Sequence, residues 1–221
     1  MCNSNQETAF TEADLNNIRR KIPMFLSENR ISHVFSVEKE ARKLSDIYLP
    51  LYGMQNRLND VLSAALLHDI TKNKSTEEQL LLYQKYGIEL SYEETNSPAV
   101  FHSRTGAYVA KEHFPINNCI FDAIYYHTLG KEDMTIFEKI IYLADFIEPE
   151  RTQKDCVALR NYFYDSFKTT NKQSKEALVL LLDKTLIRSF DCTISYLIKE
   201  NRIIHPEAVK ARNFLVLNTS M

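Results

Sequence analysis

The residues of this chain best suited to chemistry are His33, His68, Asp69, His102, His127 and Asp145. Asp69 follows Ala65 by four residues, Leu62 by seven and Val61 by eight, so in a helix it shares their inward face. Asp145 follows Ile141 by four in the most apolar stretch of the chain. His33, His102 and His127 continue the inward stripes of their own segments. An ionised carboxylate in such a setting costs several kcal/mol or more unless a charge compensates it. Two carboxylates and several imidazoles meeting at one point are what a divalent metal needs. Singly, each has a plainer role: such a histidine is more often a hydrogen-bonded core group, and such an aspartate a helix cap or a partner of arginine. The adjacent pair His68-Asp69 is common by chance. The argument rests on the set.

The donor types narrow the metal. Imidazole and carboxylate without thiolate suit iron, manganese, cobalt or zinc. Six ligands exceed the needs of one tetrahedral zinc with an open position. They suit two metals bridged by a carboxylate and a water, which clamp the attacking and leaving oxygens of phosphoryl transfer.

These residues must be carried by helices. Only four glycines and six prolines occur in 221 residues, too little turn chemistry for a many-stranded sheet. Apolar spacing predicts a helix from Thr11 through Phe25, a second over 32–48 and a third over 58–70. A further helix covers 77–86 and stops near Gly87, and 88–96 reads as a polar loop. Ser97-Pro98 reads as a cap and first helical residue, opening a helix that Pro115 stops. Asn117 or Asn118 caps the next, with Gly130 as its terminator. The segment 135–147 is apolar almost all round, hence a buried central helix. Helix follows over 155–170 and 174–199, and a last short one near Pro206. The fold class expected is all-α, a helical bundle around a buried di-metal site. Residues 1–10 are expected as a frayed polar lead and 11–221 as a single domain.

A net charge of −2 gives no global attraction to nucleic acid or anionic membrane. The four cysteines are scattered with no Cys-x-x-Cys pair, which argues against a zinc knuckle or redox motif. The first ten residues lack the apolar stretch of a signal peptide, and no apolar run approaches the ~20 residues that span a bilayer. The compartment expected is the cytoplasm. Neither nucleic acid nor membrane is expected as a partner; the oligomeric state stays open, a homodimer included.

Taken together, His33, His68-Asp69 and the distant Asp145 resemble the H…HD…D skeleton of the HD superfamily of metal phosphohydrolases. The segments from Ala64 to Lys72 (AALLHDITK), His102 with Gly106-Ala107, Ala123 to Gly130 (AIYYHTLG) and Ala144 to Arg151 (ADFIEPER) are similar to one branch of it. His205-Pro206 and Ala211-Arg212-Asn213 resemble that branch's tail. The branch is the bacterial YqeK-like, symmetrically cleaving diadenosine tetraphosphate hydrolases, and the resemblance runs over residues ~20 to 215. It implies a di-iron centre, with His33, His68 and Asp145 on one metal, His102 and His127 on the other, and Asp69 bridging. It also implies a small-molecule nucleotide as the partner, with hydrolysis of diadenosine tetraphosphate to two ADP by a hydroxide between the metals attacking phosphorus. Two departures stand out: Thr71 replaces a small apolar residue, and Ser103-Arg104 a smaller pair.

Beside the metals, Asp69 and Lys72 are the catalytic candidates. Lys72 lies three residues after Asp69, near enough to meet phosphate charge; its plainer role is a solvated lysine at a helix end. Arg104 and Arg151 are further substrate-binding candidates. Arg104 either strengthens phosphate binding or narrows the pocket, and Arg151 is at least as well explained by an ion pair with Glu148 bracing the central helix. Tyr125 or Tyr126 is placed to stack on a base. His113 and His205 are not expected as ligands. The rival readings are an HD phosphohydrolase acting on a nucleoside mono- or triphosphate or a cyclic nucleotide, and a non-catalytic helical scaffold; the latter would be expected to have lost ligands.

Overall fold

The computed structural model describes residues 8–219. Eleven α-helices occur among them and no strand: α1 (Glu12–Lys21), α2 (Glu28–Tyr48), α3 (Leu58–Leu67), α4 (Thr76–Tyr86), α5 (Tyr92–Thr95), α6 (Phe101–His113), α7 (Asn118–Tyr126), α8 (Ile136–Ile147), α9 (Lys154–Thr169), α10 (Lys175–Lys199) and α11 (Pro206–Thr219). The all-α expectation is borne out. None of these helices is long and apolar enough to cross a membrane.

Local chemistry sets many of the ends. Thr11, Ser75 and Thr135 each accept a backbone N–H while Asp14, Glu78 and Glu138 return a bond to the cap, giving capping boxes at α1, α4 and α8. Asn117 caps α7 through the N–H of Ile120. Gly87 takes a left-handed conformation at the end of α4. Elsewhere the helices differ from expectation. Ser97 makes no side-chain cap, because Pro98 opens a 3-10 turn over Pro98–Val100 and α6 begins only at Phe101. The loop expected over 88–96 contains α5, held by a Ser91–Glu94 capping box. The last helix, α11, is not short; it runs for 14 residues.

At the centre lies α3, with Val61, Leu62, Ala64, Ala65, Leu66 and Leu67 all 1% exposed or less. It packs against α1, α2, α7 and α8, while α8 also touches α2, α7, α9 and α10. Full burial of each such leucine or valine stabilises the fold by roughly 1.5–3 kcal/mol. Phe10, the last residue of the expected lead, is buried, and its N–H donates to Asp60 Oδ1 at 2.7 Å. Residues 1–7 of that lead lie outside the described residues.

The end of α3 matters most for the site. Periodicity predicts helix to Ile70, yet α3 stops at Leu67. His68 to Asn73 continue as turns closed by the bonds Ile70 N–H to Leu67, Lys72 N–H to Asp69 and Lys74 N–H to Thr71 carbonyls. Gly106 of α6 faces this turn, where a Cβ would stand 3.4 Å from the His68 carbonyl.

Candidate metal centre

Five elements deliver the six residues to one place. His33 comes from α2, His68 and Asp69 from the turn after α3, and His102 from the first turn of α6. His127 ends α7 and Asp145 sits in the last turns of α8. Ligand atoms of these residues form three overlapping groups of metal-binding size: His33, His68 and Asp69; His68, His127 and Asp145; and Asp69, His102 and His127.

Asp69 is the hinge of the arrangement. Its Oδ2 lies 3.7 Å from His33 Nε2 and 3.8 Å from His68 Nε2. Its Oδ1 lies 3.2 Å from His102 Nε2 and 3.9 Å from His127 Nε2. One carboxylate therefore presents one oxygen to each pair of imidazoles. Asp145 Oδ1 faces the first pair, 3.1 Å from His33 Nε2 and 3.7 Å from His68 Nε2.

Every imidazole has its other nitrogen committed. Nδ1 of His68 donates to the Ala65 carbonyl at 2.7 Å, that of His102 to Ala99 at 2.8 Å, and that of His127 to Ile124 at 2.7 Å. Nδ1 of His33 donates to Glu148 Oε1 at 3.2 Å. A carbonyl or carboxylate only accepts, so in each neutral ring the Nε2 carries a lone pair. The Nε2 atoms of His102 and His127 stand 3.1 Å apart, two lone pairs with no proton between them. The Nε2 atoms of His33 and His68 are buried without a well-formed hydrogen bond among the described residues. Four lone pairs and two carboxylates aimed inward are a donor set for divalent cations, and the second nitrogen of each ring is fixed as metal-ligating histidines require.

The electrostatics agree. Burial holds His102 well below its ordinary pKa, helped by Lys72, and pushes His127 down to about 4 with help from His68. Burial also opposes ionisation of Asp69, but His68, His102 and Lys72 outweigh it and keep the carboxyl below its usual range. Asp145 is likewise held low against burial, chiefly by Arg151 and then His33. For His33, burial is outweighed by the neighbouring carboxylates of Asp145 and Glu148, which raise it to about 9. Neutral His102 and His127 beside ionised carboxylates are in the states that bind metal, whereas His33 has to release its Nε2 proton as a cation binds.

Cations ring the cluster. Lys72 Nζ lies 3.0 Å from His102 Nε2 and 4.0 Å from Asp69 Oδ1, so the lysine expected beside the cluster is there. Burial lowers its pKa, partly offset by Asp69. Arg30 donates to Asp69 Oδ2 at 3.0 Å. Sequence reasoning passed over it, although a residue three before His33 shares that histidine's face of a helix. Thr128 was also missed as a contributor: its hydroxyl lies 3.3 Å from His102 Nε2 and 3.2 Å from His127 Nε2. A recess of about 310 Å³ opens beside His33, lined by Arg30, Glu148, Glu150 and Arg151 among others.

Two candidate arginines are tied to protein groups. Arg151 does not pair with the Glu148 side chain; its guanidinium bonds both the carbonyl and the carboxylate of Asp145, while Glu148 holds His33. The fold brings Arg151 back over the end of α8, where the charge of Asp145 is the nearer anion. Arg104, the other substrate-binding candidate, is engaged within the protein. It is 2% exposed, pairs with Glu94 at 3.0 Å and with Glu207, and donates to the Tyr125 carbonyl. The Tyr125 ring covers its guanidinium, 4.2 Å from the ring centre, so that aromatic face is engaged by protein. His113 stands apart from the cluster, edge-on to Phe25.

A family model described as the HD domain matches residues 30–150, the span that holds all six residues. The chain belongs to the HD domain family. This HD domain is 30% identical over 194 residues to the symmetrical bis(5'-nucleosyl)-tetraphosphatase of Bacillus subtilis, covering 86% of this chain and 91% of the relative. It is 29% identical over 202 residues to the protein of the same name from Halalkalibacterium halodurans, covering 87% and 91%. Its fold is similar to the crystal structure of an HD superfamily hydrolase from Clostridium acetobutylicum named for NAD metabolism. That likeness has a TM-score of 0.77 and 28% identity, over 96% of this chain and all of the other. As a member of the HD phosphohydrolase family the chain is a hydrolase, and its cluster is suited to divalent metal.

Proposed function

We propose that this HD domain hydrolyses diadenosine tetraphosphate symmetrically, water adding across the central P–O–P bridge to give two ADP. The observation that carries the reading is Asp69, whose two oxygens face two separate histidine pairs with fixed Nδ1 atoms. That is a cradle for two cations. The names of the relatives in Bacillus subtilis and Halalkalibacterium halodurans supply the substrate.

In this reading His33, His68 and Asp145 hold one cation, His102 and His127 the other, and Asp69 both. Nitrogen and oxygen donors without thiolate suit a di-iron centre, with manganese, cobalt or zinc as substitutes. Bound there, the pair would supply Lewis-acid polarisation of phosphoryl oxygens and a water nucleophile near neutral pH. The chain's own residues do the rest. Glu148 and the three carbonyls hold the imidazoles in one tautomer. Lys72 and Arg30, both partly exposed at the rim, meet the phosphate chain and neutralise charge on its non-bridging oxygens. Arg151 steadies Asp145 and contributes positive potential to the same recess.

The test is product analysis. Protein of known metal content is incubated with diadenosine tetraphosphate, and the nucleotides are separated by chromatography. ADP alone, absent with Asp69→Ala, is expected. AMP with ATP would overturn the central cut, and no turnover here would move the assignment to another nucleotide in a substrate panel.

A further inference from the structure

A second cavity of about 570 Å³ adjoins the metal centre, within the ~300–1,000 Å³ common for small-molecule sites. Its walls are the segment 96–100 ahead of α6, Thr128 and Leu129 after α7, the C-terminal half of α10, and the turn into α11. Two wall residues are tied to the candidate ligands. Thr128 touches Nε2 of both His102 and His127 through its hydroxyl, and Ala99 holds His102 Nδ1 through its carbonyl. A phosphate seated at His102 and His127 therefore has this cavity beside it.

The chemistry of the cavity is unlike that of the centre. Val100, Leu129, Leu197, Ile203, Tyr142 and Phe190 give it an apolar wall. Such a wall disfavours further phosphate and favours a flat heterocycle. One polar group there is unexplained by the fold. His205 is 8% exposed and its Nδ1 accepts the Glu207 N–H at 3.2 Å, which puts the ring proton on Nε2. That Nε2 is buried with no hydrogen-bond partner among the described residues. It is a donor lacking an acceptor, and purine ring nitrogens are acceptors.

We infer that this cavity is the subsite for one adenosine of the substrate, with its base against the apolar wall and His205 as the donor to a ring nitrogen. The inference rests on the nucleotide reading above and extends it to residues outside the metal cluster.

Calorimetric titration of the metal-loaded full chain with ADP and with pyrophosphate separates the nucleoside contribution from that of the phosphates. ADP is expected to bind at least ~10-fold more tightly than pyrophosphate. Leu197→Trp should abolish that advantage while leaving pyrophosphate binding unchanged. Ile203→Trp fills the same cavity from the turn before α11 and should do the same, guarding against a folding defect in either variant. His205→Ala should weaken ADP ~10-fold, as loss of one hydrogen bond does. Equal affinities for ADP and pyrophosphate in the native chain, or undiminished ADP affinity in both tryptophan variants, would overturn the subsite. Turnover of diadenosine tetraphosphate without an ADP advantage would keep the proposed function and sink the subsite. An ADP advantage lost in both variants, in protein that cleaves no dinucleoside polyphosphate, would do the reverse.

Discussion

Glu148 Oε1 accepts the Nδ1 proton of His33 at 3.2 Å, across the junction between α2 and the end of α8. This contact decides which nitrogen of His33 faces Asp69 and Asp145. Glu148 is 1% exposed, and its other oxygen accepts the Glu150 N–H at 2.6 Å, so the carboxylate is itself fixed. Removing such an outer partner typically costs ~10–100-fold in metal affinity or activity. Glu148→Ala is expected to fall in that range, with Glu148→Gln milder because one amide orientation still accepts. Metal titration of both variants checks it, and native affinity in Glu148→Ala would remove the orienting role.

Asp69→Ala should do more damage than any supporting change, because it withdraws an oxygen from both histidine pairs at once. Metal content by mass spectrometry should fall for both equivalents, and turnover by more than the ~10–100-fold of a supporting residue. Retention of one full equivalent would show that the two halves bind independently.

Lys72 presents a different case. Its Nζ lies on the His102 Nε2 lone pair, which it cannot share with a metal ion. Lys72→Ala is expected to leave metal content near native and to lower turnover by ~10²–10³, the loss typical of one preorganised donor. Metal loss in this variant would make the lysine structural.

Arg104→Ala addresses stability. Glu94 is 5% exposed and would be left buried without its partner. Breaking a buried pair from one side costs ~3–5 kcal/mol, to be read from denaturant unfolding. Activity of the folded fraction should stay near native, and a selective rise in KM would return Arg104 to the substrate.

Gly130 has φ of +67°, and a Cβ there would stand 2.7 Å from Phe190 Cζ. A left-handed conformation costs an ordinary residue roughly 1–2 kcal/mol, and the ring must also shift. Gly130→Ala should therefore lower the unfolding midpoint by more than Gly87→Ala, where nothing lies within 4 Å of the added atom.

Much of this protein is written locally. Apolar spacing and capping residues place most helices, since a capping box or a left-handed glycine acts within one turn of chain. Five of the six polar residues are legible for a related reason: a histidine or aspartate on an apolar stripe violates the pattern around it and needs a compensating group, and His68 enters as the neighbour of Asp69. Their order also carries the family resemblance. What the chain does not disclose is which distant charge meets which. Arg104 and Arg151 look alike in sequence, yet only packing puts Arg104 beneath Tyr125 and between Glu94 and Glu207, and turns Arg151 back onto Asp145. Glu148 holding His33, Arg30 on Asp69 and the early end of α3 are likewise tertiary outcomes. They depend on where α2, α3, α6, α7 and α8 cross, and a Coulombic partner is chosen by distance in space, which separation along the chain does not encode.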